Sequence, residues 1–275
     1  MAQKKLFILQ YSWELDKFQL QIVDNPHELQ NFDIPIIDAR HLSSIALSSY
    51  LVDTQKVECS FPDAQIFSNP HNKPIPSIKI GYLYNGFAIH HPNFAPEGWH
   101  VPTDEEWTQL YSSTEFNAGN LKETGYEFWE YPNIGADNSR NFFARAGGYR
   151  YQSGTFYYLN QNAYFWSSTV YTDDWTYYRK LNYNDVTMNR AFTSDIMGHS
   201  VRLVKDDNFD PVTFIDLDGN TYDTSIINGK VWLRHNWKCT KLNDGTALQN
   251  ITENFAWRNT SQPAYCAYNN DLNLV

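Results

Sequence analysis

The stretch Glu97-Gly98-Trp99-His100-Val101-Pro102-Thr103-Asp104-Glu105-Glu106-Trp107 constrains the fold of this chain more than any other. Thr103 is a favoured helix N-cap, and Glu106 three residues later completes a capping box. Pro102 biases Val101 toward extended backbone, so a strand end runs directly into a helix start. Asp104, Glu105 and Glu106 suit the positive end of the helix dipole. Trp107, Leu110 and Tyr111 then recur at helical spacing and give one apolar face to bury. By spacing alone this is a well-capped amphipathic helix of a globular domain.

The residues themselves say more. Gly98-Trp99-His100-Val101-Pro102-Thr103, followed by Glu106-Trp107, resembles the hallmark of the Fibrobacter-type major paralogous domain, a surface and secreted module related to the C-type lectin fold. Further matches come in the expected order: Tyr82-Leu83-Tyr84-Asn85, Leu121-Lys122, Gly148-Tyr149-Arg150, Phe165-Trp166-Ser167-Ser168 and Asn189-Arg190. Gly198-His199-Ser200-Val201-Arg202-Leu203-Val204-Lys205-Asp206 resembles the closing strand. The likeness covers residues 80 to 206. It implies an α+β, C-type lectin-like mixed domain.

The segment after Asp206 resembles the way such a domain begins. Asp218-Gly219-Asn220-Thr221-Tyr222, Trp232, Asn236-Trp237-Lys238 and Pro263-Ala264-Tyr265-Cys266 stand in the order of the family's opening part. Two arrangements fit. In a circular permutation, 80–206 and 210–275 build one domain, with Val201 to Val204 pairing near Val212 to Ile215 or its hairpin partner. In a donated segment, 210–275 completes a neighbouring copy. The short 207–210 connection favours the first. A truncated second domain would leave Trp232, Trp237 and Trp257 without a core.

Ahead of the resemblance, Leu6–Tyr11 and Phe18–Val23 read as a hairpin, and Asp38 is placed to cap a helix reaching about Tyr50. Residues 61–79 hold Pro62, Pro70, Pro74 and Pro76 and read as an extended linker. A hairpin and short helix are too small to stand alone, so residues 1–60 are expected to attach to a particle or to oligomerise, as a trimer above other numbers.

The net charge of −10 argues against nucleic acid and anionic membrane as partners, and no run of about 18 apolar residues predicts a membrane span. Leu6–Leu9 is too short for a signal-peptide core. The expectation is a virion component made in the host cytoplasm. The alternative is a bacterial protein that stays in the cytoplasm or reaches the cell surface by non-classical export. Relatives carry a cysteine before the Pro-x-Gly-Trp-His segment and another in the closing strand; here those places hold Ala95 and Leu203, so the resemblance implies no such bridge.

Catalytic signatures are weak. His90-His91 beside His100 suggests surface polars more than a metal site, and Asp216-x-Asp218-Gly219-Asn220 suggests a hairpin turn more than a calcium loop. Cys239 and Cys266 lack the basic setting of a reactive thiol, although a related fold hosts the formylglycine-generating oxidase. No Gly-x-Ser-x-Gly, Walker loop or His-Glu-x-x-His occurs, so no enzyme, metal or cofactor is expected.

Local composition points to recognition instead. Nine of the nineteen tyrosines lie between Tyr149 and Tyr183, and rigid amphipathic rings give contact area at low entropy cost. Tyr149, Phe165 and Trp166 fall in family motifs and are expected to be structural. Tyr151, Tyr157, Tyr158, Tyr171, Trp175, Tyr177 and Tyr183 fall between motifs. They are expected to form a ligand surface on one side of the domain, flanked by Asp173, Asp174, Asn184 and Asn189. The leading function is a non-enzymatic recognition or adhesin module of a bacteriophage particle, binding a host-surface glycan or protein. A purely structural fibre or decoration protein is second, an enzyme third.

Overall fold

A computed structural model describes residues 6–12, 17–23, 80–206 and 213–275 of the chain. The chain divides into two compact units, Met1–Lys73 and Pro74–Val275. In the first, β1 (Leu6–Ser12) and β2 (Lys17–Val23) form the expected antiparallel hairpin, with Leu6 opposite Val23. The helix expected from Asp38 to Tyr50, the proline-rich 61–79 stretch, Val212 and the 207–210 connection lie outside the described residues.

The second unit is mixed α+β, mostly sheet with few and short helices. Its hallmark stretch forms as the sequence indicates. β3 (Leu83–Tyr84) leads into α1 (Gly86–Ile89), capped by the Asn85 side chain, which accepts from the Ala88 N–H. β4 (Trp99–His100) precedes α2 (Asp104–Ser112), where Thr103 accepts from the Glu106 N–H and the Glu106 carboxylate accepts from the Thr103 N–H. Trp107 and Leu110 of α2 are buried.

Next come β5 (Gly147–Arg150), β6 (Phe156–Leu159), β7 (Asn162–Thr172), β8 (Trp175–Asn182) and β9 (Met188–Ser194), forming a five-stranded sheet in the order β6-β5-β7-β8-β9. β10 (Val204–Lys205) and β11 (Phe214–Ile215) follow, then β12 (Thr221–Tyr222), β13 (Thr224–Ile227) and β14 (Lys230–Leu233). β15 (Gln249–Asn250), α3 (Asn254–Asn259) and β16 (Ala264–Cys266) come next, followed by two 3-10 turns, Tyr268–Asn270 and Leu272–Leu274.

Residues 213–275 are woven into the same cores as 80–206. β14 lies between β13 and β10 in a four-stranded sheet closed by β4, and β16 lies between β15 and β3. Val204 pairs with Trp232 and His100, so the closing strand meets β14 and not the β11 hairpin that the sequence suggested. The reason lies in side-chain size: Trp232 fills the space between Trp107 and Phe142, with ring centres 5.1 and 5.8 Å away, whereas β11 caps Trp99 through Phe214. One core, against α2, gathers Trp107, Phe165, Trp232 and Trp257; the other gathers Tyr84, Trp166, Val201, Trp237 and Tyr265. The Ile80 N–H donates to the Leu274 carbonyl over 2.7 Å, so the first described residue of the unit lies beside the last turn of the chain.

A charge network pins the hallmark stretch. His100 contacts Asp206 through Nδ1 at 2.5 Å and Glu106 through Nε2 at 2.9 Å, and Lys230 reaches Glu106 at 3.0 Å. Burial alone would raise the Glu106 carboxyl, but hydrogen bonds from His100, the Thr103 backbone and Lys230 outweigh it and bring it down to about 2. The hydrogen bond to Glu106 raises His100 against partial burial, with Asp206 adding to the rise. The stability Glu106 supplies is therefore present above its unfolded value and lost as pH falls from about 4.5 to about 2. That of His100 is full below about 6.5 and lost as pH rises through its higher folded value. Urea denaturation across pH should show the parent losing its stability advantage over Glu106→Gln on the acid side, by on the order of 2 kcal/mol. Equal acid sensitivity in the two proteins would refute this.

Candidate functional site

The five-stranded sheet sorts the sequence-predicted rings by strand alternation. Tyr177 stands opposite Phe192, while its neighbour Tyr178 stands opposite Trp166 and Ala191, so the two point to opposite faces. The rings expected on one side are therefore divided between two.

On the α2 side, at the far end of the β7–β8 hairpin, Tyr171 stacks on Phe192 with centres 3.7 Å apart and planes 10° apart. Tyr177 meets both edge-on, and Trp175 meets Phe192 edge-on. Trp175, Tyr171 and Phe192 are 44%, 46% and 42% exposed, and Val170 beside them is also exposed. Asp173 and Asp174 form the exposed hairpin turn, with Asp174 at φ 60°. Phe192 and Val170 carry no motif; the alternation of exposed residues in β9 is the signal that could have found Phe192.

The patch is anchored from below by the hallmark helix. The Arg190 guanidinium lies 3.9 Å from the Tyr177 ring centre and 2.7 Å from one oxygen of Asp104, while the other oxygen meets Arg179 at 2.7 Å. Asp104 is buried at the first turn of α2, so two arginines and the helix dipole share its charge. That hydrogen bond from Arg190 raises the guanidinium further. Beneath Trp175, Thr176 is buried and bonds His90 Nε2 at 2.7 Å. Burial lowers His90 and raises the neighbouring Asp195. The His90-His91 pair is thus used within the fold: His91 Nδ1 accepts from the Asn93 N–H.

On the opposite face, Tyr149 is the centre of a tyrosine cluster. Tyr157, Tyr158 and Tyr164 lie 5.7, 6.0 and 4.8 Å from its ring, and Tyr151 meets Tyr157 edge-on. Tyr151, Tyr157 and Tyr158 are exposed. Under them the fully buried His199 ring packs between Tyr164 and Tyr178, and burial pushes it down to about 3, a neutral imidazole.

Three predicted residues join neither cluster. Tyr183 is half-buried against the core, its backbone tied to Gln161 and Ile134. Asn184 is exposed in the β8–β9 turn, and Asn189 sits opposite Lys180 at the sheet edge.

Other candidate chemistry is occupied structurally. The Asp216 carboxylate accepts from the Asp218 and Asn220 N–H groups, the Asn220 amide and the Tyr222 hydroxyl, which is turn chemistry. Cys239 and Cys266 are buried free thiols that burial pushes up to about 11 and about 12, away from thiolate reactivity. Among the described residues no group of three or more His, Cys, Asp or Glu is placed to hold a metal, and no helix is long and apolar enough to cross a membrane. A recess of about 250 Å³ between Phe94, Phe214 and Trp237 contains none of the predicted site residues.

The family model described as the Fibrobacter succinogenes major domain matches residues 42–205. No curated protein and no solved structure matches the chain.

Proposed function

The chain belongs to the Fibrobacter succinogenes major domain family, and from that premise we propose that it is a non-enzymatic recognition module that attaches to a cell surface. The observation that carries this reading is the ring patch of Tyr171, Trp175, Tyr177 and Phe192 beside the Asp173-Asp174 turn. Exposed large rings that stack on each other in a fixed array, rimmed by charged groups, have the make-up of a binding hot spot. In this reading the fold is C-type lectin-like, with residues 213–275 as the family's usual opening part moved to the end. The hydrogen bond between Ile80 and Leu274 supports that order. The host is a bacterial cell, the setting a bacteriophage particle, and residues 1–60 hold the module to it as a trimer.

Trp175→Ala tests the patch. The ring is half exposed, so folding stability should change by about 0.5 kcal/mol or less. Attachment of the labelled full-length protein to host cells should weaken by about 2 kcal/mol, roughly thirtyfold. Unchanged attachment in a variant with native circular dichroism removes the patch from the binding surface. Co-sedimentation of the protein with purified particles tests the particle setting separately.

A further inference from the structure

The tyrosine cluster on the opposite face of the five-stranded sheet differs chemically from the Trp175 patch. It centres on Tyr149, half-buried, with Tyr157 and Tyr158 exposed over it and Tyr164 beneath. Each of these rings carries a hydroxyl, and they meet one another ring to ring. The surrounding polar groups are amides and hydroxyls. The Gln152 amide donates to the Tyr151 hydroxyl at 3.2 Å, the Asn162 amide to the Tyr164 hydroxyl at 3.4 Å, and Ser153 meets Thr155 at 3.1 Å. Charged groups lie around the cluster: Lys180 stands opposite Tyr164 in β8, Glu130 accepts from Gln161, and the guanidinium of Arg150, which ends β5 between Tyr149 and Tyr151, is fully buried and donates to the Gly154, Ile251 and Thr252 carbonyls. His199 under the cluster adds no charge, because both its nitrogens are buried without a partner and burial holds it neutral.

Backbone geometry gives a second observation. Tyr158 has φ 61°, the left-handed region, where a bulky side chain is disfavoured. Such a conformation is strained and is retained where the rest of the structure overrides it. Here the result is that Tyr158 departs from strand alternation and lays its ring nearly parallel to Tyr149, at 26°, alongside Tyr157. Regular alternation would leave only one of Tyr157 and Tyr158 on this face; the left-handed backbone brings both to Tyr149, forming a shelf.

We propose that this shelf, Tyr149 with Tyr151, Tyr157 and Tyr158, is a binding site for a neutral saccharide, separate from the Trp175 patch. Ring faces with negative quadrupoles accept the C–H face of a pyranose, while the hydroxyls and amides exchange hydrogen bonds with its hydroxyls. An acidic saccharide would call for an arginine or lysine fork and a cationic one for a carboxylate; Arg150 is buried on backbone carbonyls, and the four shelf rings carry only hydroxyls. The proposal shares the reading of the chain as a recognition module but rests on other residues.

Isothermal titration of the full chain with neutral gluco-, manno- and galacto-hexasaccharides, and with hexagalacturonate as the acidic control, tests it. At least one neutral sugar should bind, with affinity changing less than about twofold between about 50 and about 500 mM salt, since no ion pair is formed. Tyr157→Ala and Tyr158→Ala should each weaken binding about thirtyfold. Tyr157→Phe, which keeps the ring, should weaken it less than Tyr157→Ala, and Ile226→Ala, at an exposed position of β13 outside both clusters, should leave it unchanged. Circular dichroism confirms that each variant is folded. No binding of any neutral hexasaccharide, tighter binding of hexagalacturonate, or parental affinity in folded Tyr157→Ala and Tyr158→Ala would overturn the site. Loss of cell attachment on Trp175→Ala with no saccharide bound anywhere would leave the patch standing and remove the shelf.

Discussion

Replacing Arg202 with alanine is expected to destabilise the second unit by about 3–5 kcal/mol, a large share of the roughly 5–15 kcal/mol that holds a typical domain together. Arg202 is fully buried. Its guanidinium donates to the Asn236 amide oxygen and to the Phe142, Phe143 and Leu233 carbonyls, each at 2.8 Å. It also lies 4.3 Å from the centre of the Phe142 ring. Removal opens a cavity and strands these acceptors away from water, and the second penalty exceeds the worth of the bonds themselves. Arg202→Lys should recover little, because an ammonium cannot present the planar fork that reaches carbonyls from two different segments. Urea denaturation of the parent and both variants measures this; a loss below about 1 kcal/mol in Arg202→Ala would show that the carbonyls find other donors.

Trp232→Ala should have a comparable effect, about 3–5 kcal/mol, and its more telling result is where the loss appears. Trp232 belongs to the 213–275 segment, yet its ring packs against Trp107 and Phe142 of the preceding one. Hydrogen exchange should therefore show α2 and the five-stranded sheet losing protection together with β14, in a single transition. If α2 kept parental protection while β14 lost its own, the two segments would be separate cooperative units, and the shared core would carry no coupling.

The legible parts of this fold were those decided by neighbours in the chain. Thr103 and Glu106 make both halves of their capping box, and Asp216 to Tyr222 close the Asp-Gly turn, with Gly219 at φ 80°. The hairpin of residues 6 to 23 likewise follows from alternation alone. What escaped was whatever depends on which strands meet. The pairing of Val204 with Trp232 is decided by the volume that Trp107 and Phe142 leave open, a property of no local stretch. The ring surface shows the same limit. Tyr157, Tyr171 and Trp175 are exposed as composition suggested, but composition carries no face, and the register of β8 against β7 and β9 places Tyr157 and Trp175 on opposite ones. Phe192 and Arg190 entered the patch through that register, and Tyr183 left it because its ring fits against the core.

In the proposed role of holding to a surface the module would also be pulled, and the way β3 is fastened decides how a pull on Ile80 is shared. Ile80 is tied to Leu274, Leu83 and Tyr84 pair with Cys266 and Tyr265 on one side, and Tyr84 exchanges two backbone hydrogen bonds with His199 on the other. The Trp166 indole N–H donates to the Tyr84 carbonyl as well, at 2.7 Å. Tension along this strand is thus divided at once between the closing segment, the segment from 213 to 275 and the five-stranded sheet. The bonds must give way together instead of opening one after another like a zip.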